Sequence, residues 1–183
     1  MEHINTLLVA FMFITILTIG VAGVLTELAD VVRNAERKHR DRLLVGWAVL
    51  LLLANFMLFW HTADIALRDE WGFGLFLFAE TGPVLLLFST QIMVSALRAE
   101  QQGQVISSVN QSRFLVIFGL LQAWSIAADF VLGLGFTLGS ALSAIVMLTC
   151  LLLAWSTNRR LHVYGLALVW SAYIASAFLQ SYA

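Results

Sequence analysis

Six stretches of this chain are each long and apolar enough to cross a lipid bilayer, and that leaves few folds open to it. A bilayer core takes about 20 apolar residues per helix. The stretches are Thr6–Thr26, Leu43–Thr62, Phe73–Leu97, Arg113–Leu132, Phe136–Ser156 and Leu161–Gln180. In lipid a segment must satisfy its own backbone polar groups, so each is predicted to be a helix. The expected fold is all-α: a polytopic membrane helix bundle with six transmembrane helices, forming one domain over residues 1–183. Composition agrees, with 61% hydrophobic and 11% charged residues, where soluble domains have about half and about a quarter. The formal net charge of -1 gives no argument for a nucleic-acid partner. The single cysteine, Cys150, excludes an intramolecular disulfide and reads as a small packing residue. Met1-Glu2-His3 lacks a basic n-region and the apolar run continues to Leu25, so the first stretch is read as a permanent span, not a cleaved signal.

The connectors carry the orientation. Glu27–Arg42 is long and charged and is predicted to extend the first span as helix or to lie at the interface. Arg98–Ser112, rich in Gln and Ser, is predicted to be a solvated loop. Gly133–Gly135 and Thr157–Arg160 are short enough to make their flanking helices antiparallel neighbours. Lys and Arg in short loops resist translocation. The first, third and fifth connectors hold Arg33, Arg37, Lys38, Arg40, Arg42, Arg98, Arg113, Arg159 and Arg160, while the second holds only Arg68 and the fourth none. Both termini are therefore expected outside, with the basic loops in the cytoplasm. The Arg33–Arg42 run is either a contact for anionic lipid or an ordinary topology-setting loop.

A weak repeat is visible in the three outward-running spans. They begin Arg42-Leu-Leu-Val45, Arg113-Phe-Leu-Val116 and Arg160-Leu-His-Val163, and later carry Trp60-His61, Trp124-Ser125 and Trp170-Ser171. One reading is three helical hairpins about a pseudo-threefold axis. The other is that Arg and Trp recur at membrane interfaces in any such protein.

Within the spans, Glu80 stands out. An intramembrane carboxylate is costly and marks a functional site by default. The only proline, Pro83, lacks the N–H that would bond the Ala79 carbonyl, and Gly82 adjoins it, so Gly82-Pro83 is predicted to break the helix. At about 1.5 Å per residue, Glu80 lies roughly 10 Å in from the outer side. On the same count Asn55 and Gln122 fall near mid-membrane, and His61, Asp64 and Asp129 nearer the outer surface. Helical phase aligns Gln122, Ser125 and Asp129 on one stripe, Glu80 with Gln91 on another, and His162, Tyr173, Ser176 and Gln180 on a third. These stripes predict an outward-facing polar vestibule lined by His61, Glu80 and Asp129, continuing past Asn55 and Gln122. The competing reading is interhelical hydrogen bonding that simply holds the bundle together. His61 and Asp64, with Glu80 or Asp129, would also suit a metal ion, although Asp64 next to Arg68, Asp69 and Glu70 reads equally as loop. Gly135, Gly139 and Ser143 at four-residue spacing suggest a close helix-packing seam.

The exclusions are firmer. The only lysine, Lys38, lies in a connector, so no retinal Schiff base forms in the membrane. His61 and His162 fall at opposite sides of the bilayer and cannot share a haem. No span carries regularly spaced arginines, as a voltage sensor would. No potassium-filter, serine-hydrolase, zinc-protease or phosphate-loop motif is present. No cofactor is expected.

Two resemblances bear on this reading. Ser156-Thr-Asn-Arg159-Arg160-Leu-His162, with Trp71 preceding a span that contains Pro83, resembles a diffuse group of uncharacterised bacterial six-helix inner-membrane proteins, which implies that setting and no activity. The six-span architecture with outward termini is similar to the urea and amide channel family. The fifth span departs from it, with no acidic residue and one tryptophan, Trp155. The leading expectation is a small channel or transporter for protons, cations or small polar solutes. The alternative is a non-transporting sensor, accessory or scaffold subunit, and the third a metal-binding membrane protein or enzyme. The expected partners are the lipid bilayer and further copies of the chain in a homo-oligomer.

Overall fold

The structure is a computed structural model and describes residues 6–33, 41–66, 71–102, 108–131 and 135–181. Side chains at 61–66, 101, 108, 109, 180 and 181 lie outside that description. Among the described residues the chain is all-helical, with six helices: α1 (Thr6–Arg33), α2 (Arg42–Ala66), α3 (Phe73–Gln101), α4 (Ser108–Val131), α5 (Leu138–Ala154) and α6 (Arg159–Ser181). All but α5 are long and apolar enough to cross a membrane. α5 has 17 residues, about 26 Å of helix at 1.5 Å per residue, somewhat short of a hydrocarbon core of about 30 Å.

Polar side chains set three of the helix starts. The Asp41 carboxylate accepts from the Leu43 N–H at 3.0 Å, and Asn158 Oδ1 accepts from the Arg160 N–H at 3.0 Å. Thr137 and Ser140 form a reciprocal capping box at α5. The first connector continues α1 as helix to Arg33, as expected. The Arg98–Ser112 connector differs from its expectation, because α3 runs on to Gln101 and α4 starts at Ser108. The reason is anchoring: Arg98 pairs with Glu27, and Glu100 accepts from the Asp41 N–H, so the end of α3 is tied to α1 and to the start of α2.

The outer surface carries many large apolar side chains. Large hydrophobics are exposed on every helix, among them Phe11, Phe56, Phe88, Leu120, Leu152 and Phe178. Outward-facing hydroxyls are satisfied internally: Thr15, Thr18, Thr26, Thr81, Ser95, Thr149 and Ser171 each donate to the carbonyl four residues earlier. Such back-bonding leaves no hydroxyl unpaired against an apolar solvent. The chain is thus compatible with a multi-pass membrane protein.

Packing partners close the helices into a ring in the order α1, α2, α6, α5, α4, α3 and back to α1, with α2 also touching α3. Between hairpins the contacts are α1 with α3, α2 with α3, α4 with α5 and α2 with α6. A threefold arrangement would repeat the α2–α3 and α4–α5 contacts as one between α6 and α1, which is not found among the described residues. Inside the ring, Trp47 packs edge-on against Phe114 at 5.4 Å and Phe118 at 6.3 Å, and Phe118 stacks on Tyr173 at 6.1 Å. This column joins α2, α4 and α6. The Gly135–Ser143 spacing does not make the predicted seam. Gly135 precedes α5 with φ +69, and a Cβ on Gly139 would meet only Thr137.

The two ends of the bundle differ in charge. Glu27 with Arg98, and Asp41 with Arg159, bring together the end of α1, the start of α2, the end of α3 and the start of α6. Ser112 donates to the Ala154 carbonyl at 2.8 Å, adding the start of α4 and the end of α5. All the described arginines, namely Arg33, Arg42, Arg98, Arg113, Arg159 and Arg160, lie at this basic end.

Candidate functional site

At the opposite end, α2, α3, α4, α5 and α6 enclose a cavity of about 100 Å³, room for several water molecules. Its polar lining is Gln122, Ser125, Ser143, Tyr173 and Ser176. Gln122 is buried and donates from Nε2 to the Tyr173 hydroxyl at 2.8 Å. Gln122 with Ser125, and Tyr173 with Ser176, sit three residues apart on their helices and share a face. Two predicted stripes therefore do meet across one space. Their other members do not join them: Asp129 is engaged elsewhere, His162 lies at the basic end, and the Gln180 side chain is outside the described residues.

Trp124 forms one wall of the cavity and reaches across to α3, where its Nε1 donates to the Phe78 carbonyl at 2.7 Å. A Cβ on Gly82 would lie 2.4 Å from the Trp124 ring. Gly82 is thus the seat of an aromatic ring. α3 stays helical from Phe73 to Gln101 through Pro83. The helix thus runs through the predicted break at Gly82-Pro83, although Pro83 has no N–H for the Ala79 carbonyl.

Glu80 is buried, with 6% of its surface exposed, yet it does not line this cavity. Neither of its carboxyl oxygens has a hydrogen-bond partner among the described residues. Its neighbour Ala79 packs with Val9 of α1 and with Trp71, whose Nε1 is also buried and unpartnered. Glu80 and Arg98 are eighteen residues apart, five full helical turns, and so share a face. Arg98 on that face meets Glu27 of α1 at 2.5 Å. Glu80 therefore belongs to the seam between α3 and α1. Gln91, expected on its face, is exposed.

Asn55 also turns to this side. It is 1% exposed, donates from Nδ2 to the Leu51 carbonyl at 2.8 Å, and leaves Oδ1 unpartnered. A Cβ on Gly20 would stand 2.9 Å from Asn55 Oδ1 and 3.7 Å from Thr90 Oγ1, the latter also buried and unpartnered. A Cβ at position 20 would push the Asn55 side-chain oxygen aside. Asn55 and Thr90 thus both face α1 at Gly20, apart from the cavity at Gln122.

Asp129 serves the helix that follows it. Its carboxylate accepts from Thr137 Oγ1 at 3.1 Å and from Ser140 Oγ, the two residues of the α5 capping box. An acid at a helix N-terminus also complements the macrodipole. The Asp129 carboxylate, expected in the vestibule, is thus engaged in this cap. His61 and Asp64 lie on α2, but their side chains are outside the described residues, so the metal set built on them is too. Among the described residues no three His, Cys, Asp or Glu side chains gather as metal ligands.

Two features at the basic end escaped the sequence reading. Glu27 is 3% exposed and paired with Arg98. The signal was its place at the end of a span parallel to the one ending at Arg98. His162 has both ring nitrogens engaged, Nδ1 with Gln111 Nε2 at 3.1 Å and Nε2 with the Ser156 carbonyl at 2.9 Å. A carbonyl only accepts, so Nε2 carries a proton.

Compared with protein-family models, curated proteins and solved structures, the chain matches none.

Proposed function

We propose that this chain is a six-span membrane protein that passes protons or small cations, with Glu80 as the coupling acid. The observation that carries this reading is a contrast among its acids. Glu27 has Arg98 and Asp129 has Ser140 and Thr137, whereas the buried Glu80 carboxyl has no hydrogen-bond partner among the described residues. A structural acid held in an apolar bundle is ordinarily paired. An unpaired one has both oxygens available to a proton, a cation or water.

The route we infer follows the seam around α1, from Glu80 past Thr90 and Asn55 to Glu27 and Arg98. Along α3 the steps from Glu80 to Thr90 and from Thr90 to Arg98 are about 15 and 12 Å, distances that water or an ion must bridge. The unpartnered Asn55 Oδ1 and Thr90 Oγ1 offer hydrogen-bonding positions between them. The cluster of arginines at one end supports a cytoplasmic basic face with both termini outside. The setting we infer is a bacterial inner membrane.

A second reading has its own support. Gln122–Tyr173, Trp124–Phe78 and Asp129–Ser140 all hold helices together, as in a non-transporting scaffold or accessory subunit. Proteoliposomes containing a pH-sensitive dye separate the two. With a potassium diffusion potential imposed, wild-type protein should admit protons or the test cation, and Glu80→Gln should abolish that flux while remaining folded. No flux from wild-type protein at any pH where it stays folded, together with a Glu80→Gln variant changed only in stability, would establish the scaffold reading instead.

A further inference from the structure

At the basic end, α4 and the turn between α5 and α6 border a cleft of about 720 Å³. We propose that it binds the head group of an anionic phospholipid, with Arg113 as the principal cation. The charge arithmetic singles out Arg113. Asp41 is the only acid lining the cleft, and Arg159 Nη2 meets it at 3.0 Å. His162 has both ring nitrogens engaged within the protein, with Gln111 and the Ser156 carbonyl. Arg113 lines the cleft, is exposed, and has no ion-pair or hydrogen-bond partner among the described residues. Its guanidinium presents donors in a fork that matches phosphate geometry.

The cleft is also amphiphilic in the direction a lipid requires. Val116 and Ile117 line it three and four residues beyond Arg113, on the same face of α4 and about 5 Å deeper. Ile92 and Ala154 extend the apolar wall. Trp155 stands 89% exposed beside the cleft, a residue that favours the head-group level of membranes. A free phosphate would satisfy Arg113 but leave the apolar wall and most of the volume unfilled. A phosphatidyl group fills both. The Arg33–Arg42 run considered from sequence is a different surface, since among its described residues only Asp41 lines this cleft.

The test is native mass spectrometry of the full chain in neutral detergent, supplied with equal amounts of phosphatidylglycerol and phosphatidylcholine of matched chains. Wild-type protein should retain phosphatidylglycerol about fivefold in preference. Arg113→Gln should lose that preference at an unchanged melting temperature, whereas Arg42→Gln, at the same end but outside the cleft, should keep it. Ile117→Trp, which fills the apolar part without altering charge, should weaken retention of phosphatidylglycerol and decides the matter if Arg113→Gln does not fold. Equal retention of the two lipids, or a preference that survives Arg113→Gln, overturns the proposal. Displacement of the lipid by millimolar inorganic phosphate overturns it in favour of a soluble anion.

Discussion

Replacing Gly82 with alanine tests the most specific helix contact in this protein. The added Cβ would sit 2.4 Å from the Trp124 ring, about 1 Å inside the ~3.5 Å separation of carbons in contact. Backbone on one side and an aromatic ring on the other leave no flexible atom to give way, so the ring must move by about 1 Å. A shift of that size stretches the 2.7 Å bond from Trp124 Nε1 to the Phe78 carbonyl beyond hydrogen-bonding range. Overpacking costs about 1–3 kcal/mol, and the lost bond adds about 0.6 kcal/mol by the mean for such bonds in membrane bundles. Against this, alanine is favoured over glycine in a helix by up to about 1 kcal/mol. The net expectation is destabilisation of about 1–3 kcal/mol, read from reversible unfolding in mixed detergent micelles. In a Trp124→Leu background the clash disappears, and the same Gly82→Ala change should become neutral or mildly stabilising. Gly82→Ala protein as stable as wild type with Trp124 intact would refute the reasoning, as would equal costs in the two backgrounds.

Other expectations are independent of that contact. Asp129→Ala or Thr137→Ala should each cost about 1 kcal/mol through loss of the α5 cap and leave proteoliposome flux unchanged; a flux defect without a stability defect would return Asp129 to the pathway. Gln122→Leu and Tyr173→Phe should each destabilise by roughly 0.6–1.7 kcal/mol, and the double variant should cost less than their sum, because both remove the same 2.8 Å bond. Additive costs in that double-mutant cycle would mean the bond contributes nothing. Arg98→Gln leaves the buried Glu27 carboxylate unpaired, so it should destabilise more than the Glu27→Gln/Arg98→Gln double variant. If the double variant is the less stable of the two, Glu27 is not held as a charge by Arg98.

The set of helices and the order of residues along them were legible in the chain alone. Both follow from local quantities: apolar length, the rise per residue and the phase around one helix. They sufficed for six helices, for the clustering of arginines at one end, and for stripes such as Gln122 with Ser125 and Tyr173 with Ser176, which do face a common cavity. What they could not determine is which neighbour each helix turns toward. Glu80 and Asp129 lie toward the same end, yet one is buried without a hydrogen-bond partner among the described residues and the other caps α5. Only the tertiary structure decided this, because the angular placement of a helix depends on shape-matched contacts between distant segments. Trp124 seated on Gly82 and Asn55 against Gly20 are two such contacts. Hydropathy cannot encode them, since a glycine that receives a ring and one that merely loosens a turn read identically along the chain.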